Sequence, residues 1–189
     1  MIIGIITNNN GFVSIDFVKC LLSLRGRYEV TVVEGPDVWA NRNRIFNYAK
    51  RKGQSLLSID SDMIFTLENV QKMEKHLETH DVVTGLYVLG RPPYPPAIWK
   101  RVEGDYELTD VPPAFSEIGA CAGGFMGISA KVVQALEEPF VFLNEGSVQH
   151  DADTSFCHRA REAGFKMWID PHINLGHIRT DFKTYENTR

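Results

Sequence analysis

At 189 residues, with 43% hydrophobic and 23% charged residues, the chain is long enough for one domain with a full core and has an ordinary globular composition. Its formal net charge of -4 argues against a dedicated nucleic-acid binder, which carries a basic footprint. Three scattered cysteines without a C-x-x-C pair (Cys20, Cys121, Cys157) read as reduced thiols of a cytosolic protein, and no apolar run is long enough to form a transmembrane segment.

In chain order, Ile2 to Ile6 predicts a buried first strand ending at the polar turn Thr7-Asn8-Asn9-Asn10-Gly11. Ser14 to Leu24 has helical spacing through Phe17, Val18, Leu21 and Leu22, with Gly26 where a helix would stop. Tyr28 to Val33 is β-branched and bounded by Gly35-Pro36, which predicts a second strand. Val38 to Lys52 predicts a helix burying Ile45, Phe46 and Ala49, stopped by Gly53. Leu56 to Ile59 is the third strand. Thr66 to Glu78 is the third helix, with Leu67, Val70, Met73 and Leu77 on one face and Thr66 as N-cap. Val82 to Val88 is the next strand. This alternation predicts a parallel sheet with helices on both faces.

The rhythm breaks at Arg91-Pro92-Pro93-Tyr94-Pro95-Pro96, because proline fixes φ and removes donors. A hairpin follows, Ala97 to Arg101 and Tyr106 to Leu108 around Glu103-Gly104-Asp105. Ser129 to Leu136 and Asp153 to Ala163 read as helices, the second ended by Gly164. Lys166 to Ile169 and Ile173 to His177 read as two late strands, and the tail from Arg179 is polar. No repeat, low-complexity tract or linker interrupts the chain.

The motif that carries chemistry is Asp60-Ser61-Asp62, directly behind the apolar strand. Carboxylates at a strand exit project into the crevice where open α/β sheets bind ligands. Two of them one residue apart suit a hard divalent cation, Mg²⁺ or Mn²⁺, which would in turn hold a phosphate ligand. On its own the motif is matched by a bland alternative, a turn in which aspartate caps the next segment. Gly123-Gly124 divides evenly between close backbone approach to a ligand and a tight turn. There is no G-x-G-x-x-G after the first strand and no P-loop.

Taken in order, these residues resemble a small GT-A-fold, Asp-x-Asp-containing nucleotide-sugar glycosyltransferase of the viral or bacterial type. The likeness rests on the polar turn after strand one, Glu34 ending strand two, and the run Asn41-Arg42-Asn43-Arg44-Ile45-Phe46-Asn47. It continues through the Asp-x-Asp, Gly123-Gly124-Phe125-Met126, the acidic start of the Asp153 helix and the closing Gly176-His177. It covers nearly the whole chain. It implies a single α/β domain over residues 1–189 with a Rossmann-type, mostly parallel central sheet and a small antiparallel hairpin in the second half. Residues 1–88 would be the nucleotide-binding half, 89–180 the acceptor and catalytic half, and 181–189 a tail.

The resemblance also assigns roles. Asp60, Asp62 and His177 would hold Mn²⁺ or Mg²⁺. Thr7, Asn8, Glu34, Arg44, Asn47, Asp60, Ser61, Gly123 and Gly124 would meet the nucleotide sugar. Asp153 would be the base that deprotonates the acceptor hydroxyl. The family often has Glu-Asp at this helix start; here Ala152-Asp153 stands in its place, with Asp151 one residue earlier, so the role is open between Asp151 and Asp153. The implied activity is a hexosyltransferase reaction, inverting in preference to retaining. A UDP-sugar is the favoured donor and a GDP-sugar the second. A glycan is the favoured acceptor, nucleic acid the least, and a cytoplasmic location is expected. Two alternatives stand beside it: a haloacid-dehalogenase-like phosphatase with Asp60 as nucleophile, and a silent nucleotide-sugar binder on the same fold.

Overall fold

The computed structural model describes residues 1–7, 13–90, 92–103, 105–145, 148–178 and 183–184, with backbone only at 143–145, 148–150 and 183–184. The elements begin with β1 (Ile2–Thr7), α1 (Ile15–Ser23), β2 (Glu29–Glu34), α2 (Val38–Lys52) and β3 (Leu56–Asp60). Next come β4 (Met63–Ile64), α3 (Leu67–His76), β5 (Val82–Leu86), β6 (Ile98–Val102) and β7 (Asp105–Leu108). Then follow β8 (Ser116–Ile118), β9 (Ala120–Cys121), β10 (Phe125–Ile128), α4 (Ala130–Ala135), β11 (Leu143–Glu145) and β12 (Val148–His150). The chain closes with α5 (Ala152–Glu162), β13 (Met167–Asn174), β14 (Gly176–His177) and β15 (Lys183–Thr184).

A seven-stranded sheet in the order β2-β1-β3-β10-β5-β13-β8 is the centre of the fold. β2, β1, β3, β5 and β13 share one direction, whereas β10 and β8 run against it. Side-chain alternation along each strand divides the apolar residues between two cores. Ile2 and Ile6 of β1 and Leu56 of β3 pack with α2, α4 and α5. Ile3, Ile5, Leu57 and Ile59 pack with α1 and α3 on the opposite face. Gly4 falls on the α2 side, where a Cβ would come within 2.6 Å of Ile45 Cδ1, so its side-chain void lets α2 lie close. Gly53, left-handed at φ 65°, ends α2 where the sequence predicts a stop.

Smaller sheets attach to this frame. β6 pairs with β7 and β9, as the expected hairpin with one added strand. β4 pairs with β14, and β14 with β15. The late strands expected at Lys166 to Ile169 and Ile173 to His177 divide differently: β13 runs on from the first to Asn174, with a register irregularity between Asp170 and Asn174, and Gly176–His177 is the separate β14. Pro171 lies inside β13, and a proline lacks the N–H that a regular ladder would use there. The architecture is the GT-A-like, Rossmann-type α/β sheet that the resemblance implies. Among the described residues, no helix is long and apolar enough to cross a membrane.

Candidate active site

β2 and β3 flank β1 on opposite sides, so the chain reverses direction across the sheet at β1. The crevice outside the carboxyl ends of strands at such a switch point is where open α/β sheets take ligands. Parallel register puts Thr7 beside Glu34 and Ile6 beside Asp60 there. The Ser61 N–H donates to the Ile6 carbonyl at 3.0 Å, which carries the Asp-x-Asp turn over the end of β1. Asn8 lies outside the described residues.

Strand parity turns Ser58 and Asp60 toward α2, and α2 answers with Arg42. Only 2% exposed, Arg42 occupies the same helix stripe as Ile45, Phe46 and Ala49. Its Nη1 and Nη2 donate to Asp60 Oδ1 and Oδ2 at 3.0 and 3.1 Å, a fork-on-fork pair. Nη1 also donates to Ser58 Oγ at 3.3 Å and to the Gly123 carbonyl at 3.0 Å. On its other side, Nε lies 2.8 Å from Asp153 Oδ1, an ion pair in which the N–H is not aligned with the oxygen. The Gly123 N–H donates to Asp153 Oδ2 at 2.8 Å. One guanidinium thus joins β3, α5 and the loop between β9 and β10.

Burial opposes the Arg42 charge, but the carboxylates of Asp153 and Asp60 more than offset it and hold the group protonated well above its ordinary range. Burial raises the Asp60 carboxyl, and Arg42 opposes that rise. With 29% of its side chain open to solvent and both oxygens on a guanidinium, Asp60 is best described as ionised. Beneath the cluster, the Tyr87 hydroxyl accepts from the Gly124 N–H at 2.9 Å; burial, then Asp153 and Asp60, push this phenol well above its usual range.

Asp62 and His177 meet on the other side of the turn. β4 and β14 pair His177 with Met63, and the Ile178 N–H donates to the Asp62 carbonyl at 2.6 Å. His177 Nδ1 is 2.8 Å from the Val88 carbonyl, which can only accept, so Nδ1 carries hydrogen. Nε2 lies 3.3 Å from Asp62 Oδ2, also an acceptor when ionised. A neutral imidazole would present a lone pair to a carboxylate there. The arrangement is relieved either by protonating the ring or by a cation shared between the two atoms. These two side chains therefore fit a divalent cation, whereas Asp60 has both oxygens on Arg42. Among the described residues, no three His, Cys, Asp or Glu side chains form a ready-made cage.

The remaining expected residues are spread more widely. Asp151 is the N-cap of α5, its Oδ1 accepting from the Thr154 N–H at 2.9 Å and the Thr154 hydroxyl at 2.8 Å. Gly123 and Gly124 do sit in the site, but their missing side chains make room for the protein itself. A Cβ on Gly123 would meet Arg42 Cζ at 2.4 Å, and one on Gly124 would meet the Tyr87 hydroxyl at 2.9 Å. Arg44 and Asn47 line a separate groove of about 380 Å³ beside Thr31 and Tyr48, away from the carboxylate cluster. They lie off the apolar stripe of α2. The sequence does hold the signal for Arg42: it is the one arginine in register with the stripe Ile45, Phe46 and Ala49.

No protein-family model matches the chain, and no curated protein matches it. Among solved structures, A197 from STIV superposes over 99% of this chain and 92% of its own, with a TM-score of 0.72 and 18% identity. A putative nucleotide-diphospho-sugar transferase from Desulfovibrio desulfuricans G20 covers 89% and 79%, with a TM-score of 0.46 and 12% identity. The first likeness shows a common fold; the second is too loose to add to it.

Proposed function

We propose that the chain is a divalent-metal-dependent glycosyltransferase. It moves a hexose from a nucleoside-diphosphate sugar, UDP favoured over GDP, to a hydroxyl of a glycan, with inversion. The observation that carries this reading is the Asp62–His177 pair beside the Asp60–Arg42–Asp153 cluster at the switch-point crevice. Two carboxylates share one guanidinium there, a third, Asp62, stands against His177, and the excess negative charge suits a hard dication. The GT-A-like fold supports the same reading.

In this proposal Asp62 and His177 hold Mn²⁺ or Mg²⁺, whose chemistry is to neutralise the diphosphate and stabilise it as a leaving group. Thr7 and Glu34, at neighbouring strand ends, meet the nucleoside. Asp60, fixed by Arg42, faces the ribose. Arg42 and the Gly123 N–H orient Asp153, so that its carboxylate can take the proton of the acceptor hydroxyl as the hydroxyl attacks. The phosphatase alternative requires an Asp60 oxygen to act as nucleophile, and the two-point ion pair with Arg42 speaks against it.

The test is a thermal-shift panel of UDP, GDP, CDP and their sugars, each with Mn²⁺ or with EDTA. A ligand bound only to the native state raises the melting temperature. A rise with one nucleotide is expected with Mn²⁺, absent with EDTA, and absent in Asp62→Asn and His177→Ala proteins that melt normally without ligand. No shift with any nucleotide, or the same shift in EDTA, overturns the reading.

A further inference from the structure

Behind the Gly123–Asp153 contact lies a second link between the same two segments. Cys121 in β9 is two residues before Gly123, and Cys157 in α5 is one turn after Asp153, about 6 Å along the helix axis. Both cysteines are fully buried. The Cys121 N–H donates to Cys157 Sγ at 3.5 Å, and the Cys157 thiol donates to the Cys121 carbonyl at 3.6 Å. The Cys157 sulfur therefore sits directly on the backbone of Cys121. The Cys157 side chain beside it, together with burial, holds the Cys121 thiol well above its ordinary range. The Gly123–Asp153 and Cys121–Cys157 contacts make two rungs between the same two segments, one through a carboxylate and one through a sulfur. Cys20 belongs to the core on the other face of the sheet and takes no part.

We propose that Cys121 and Cys157 are a disulfide site, closed while the chain folds, that clamps β9 to α5 directly behind the candidate active site. The oxidant is a small-molecule disulfide. The Cys121 thiolate attacks one of its sulfurs, forming a mixed disulfide and releasing one small thiol. The Cys157 thiolate then attacks the Cys121 sulfur and releases the second small thiol. The protein loses two thiol hydrogens and gains one S–S bond, and one disulfide is reduced to two thiols. Burial of both sulfurs in the finished fold makes the folding chain the form that reacts. The two residues are 36 apart in sequence, so the bond closes a long loop and restricts the unfolded chain. The inference is independent of the proposed transferase activity.

The protein is refolded from urea in a buffer of reduced and oxidised glutathione, unfolded again with an alkylating agent, and weighed before and after reduction. One alkylated cysteine before reduction and three after, with the cross-linked peptides containing Cys121 and Cys157, is the expected result. The oxidised protein should melt roughly 10 °C above the reduced one. Cys20→Ala should still lose both remaining thiols. Cys121→Ala, which trades a thiol for a methyl in the same core, should not gain any internal cross-link. Three alkylated cysteines after refolding, a bond involving Cys20, or a glutathione adduct that goes no further would each overturn the proposal.

Discussion

Arg42 is the residue on which the site turns, because a buried guanidinium is stable only with its partners. Its two carboxylates are on different elements, so removing it leaves Asp60 and Asp153 facing each other without a counter-charge. Breaking a buried pair in this way costs about 3–5 kcal/mol, whereas replacing both sides by apolar groups can cost little. Arg42→Met should therefore lower the unfolding free energy from urea titration by that amount, and Arg42→Lys should recover only part of it, since an ammonium cannot form the two-point contact. If Arg42→Met with Asp60→Asn and Asp153→Asn is no more stable than Arg42→Met alone, the charge account fails. At this scale the sequence was partly legible. Asp60 and Asp62 stand out from their place directly behind an apolar strand, whereas only the resemblance points to His177. Arg44 and Asn47 are expected from the resemblance on the same helix, whereas helical periodicity places Arg42 inside.

At the scale of elements, helix boundaries were legible because capping is local chemistry. Ser14, Thr66, Ser129 and Asp151 all accept a hydrogen bond from the backbone N–H three residues on. Thr66 goes further, since the Asn69 side chain accepts in return from the Thr66 N–H at 2.8 Å. Thr66→Ala should cost about 1 kcal/mol and lower the melting temperature by about 2–4 °C. Nucleotide binding should be unaffected, since α3 is anchored beyond the Asp62 turn. A loss of metal-dependent binding would show that the cap also holds that turn. Short strands were harder to see. β4, β8 and β9 have two or three residues each and no periodicity of their own; partners far along the chain define them.

For the whole molecule, alternating strands and helices made the parallel first half legible, including helices on both faces. What stayed hidden was β10, a four-residue strand inserted antiparallel between β3 and β5. Nothing in Phe125-Met126-Gly127-Ile128 announces its direction, which follows from the returning chain. Stability of the whole should also respond to alkaline pH. Burial first, then Glu74, pushes the Tyr28 phenol up to about 12, and burial first does the same for Tyr106. These values exceed the ordinary value near 10, so the folded state favours the protonated phenols. Their contribution is complete below about pH 10 and is lost as pH rises toward 12. Unfolding free energy from urea titrations should fall through that window, and less so in Tyr28→Phe; a flat profile to pH 12 would contradict it.

The place of β10 has a consequence for synthesis. β5 is fully buried, and its two neighbours in the sheet are β10 and β13. Both are made after it. While the ribosome adds residues beyond Leu86, the first three strands can already assemble, but Val82-Val83-Thr84-Gly85-Leu86 waits with both edges bare. A nascent chain is then most prone to stray strand pairing between the emergence of β5 and that of Phe125. A pause in translation within that interval would be more damaging than one after it.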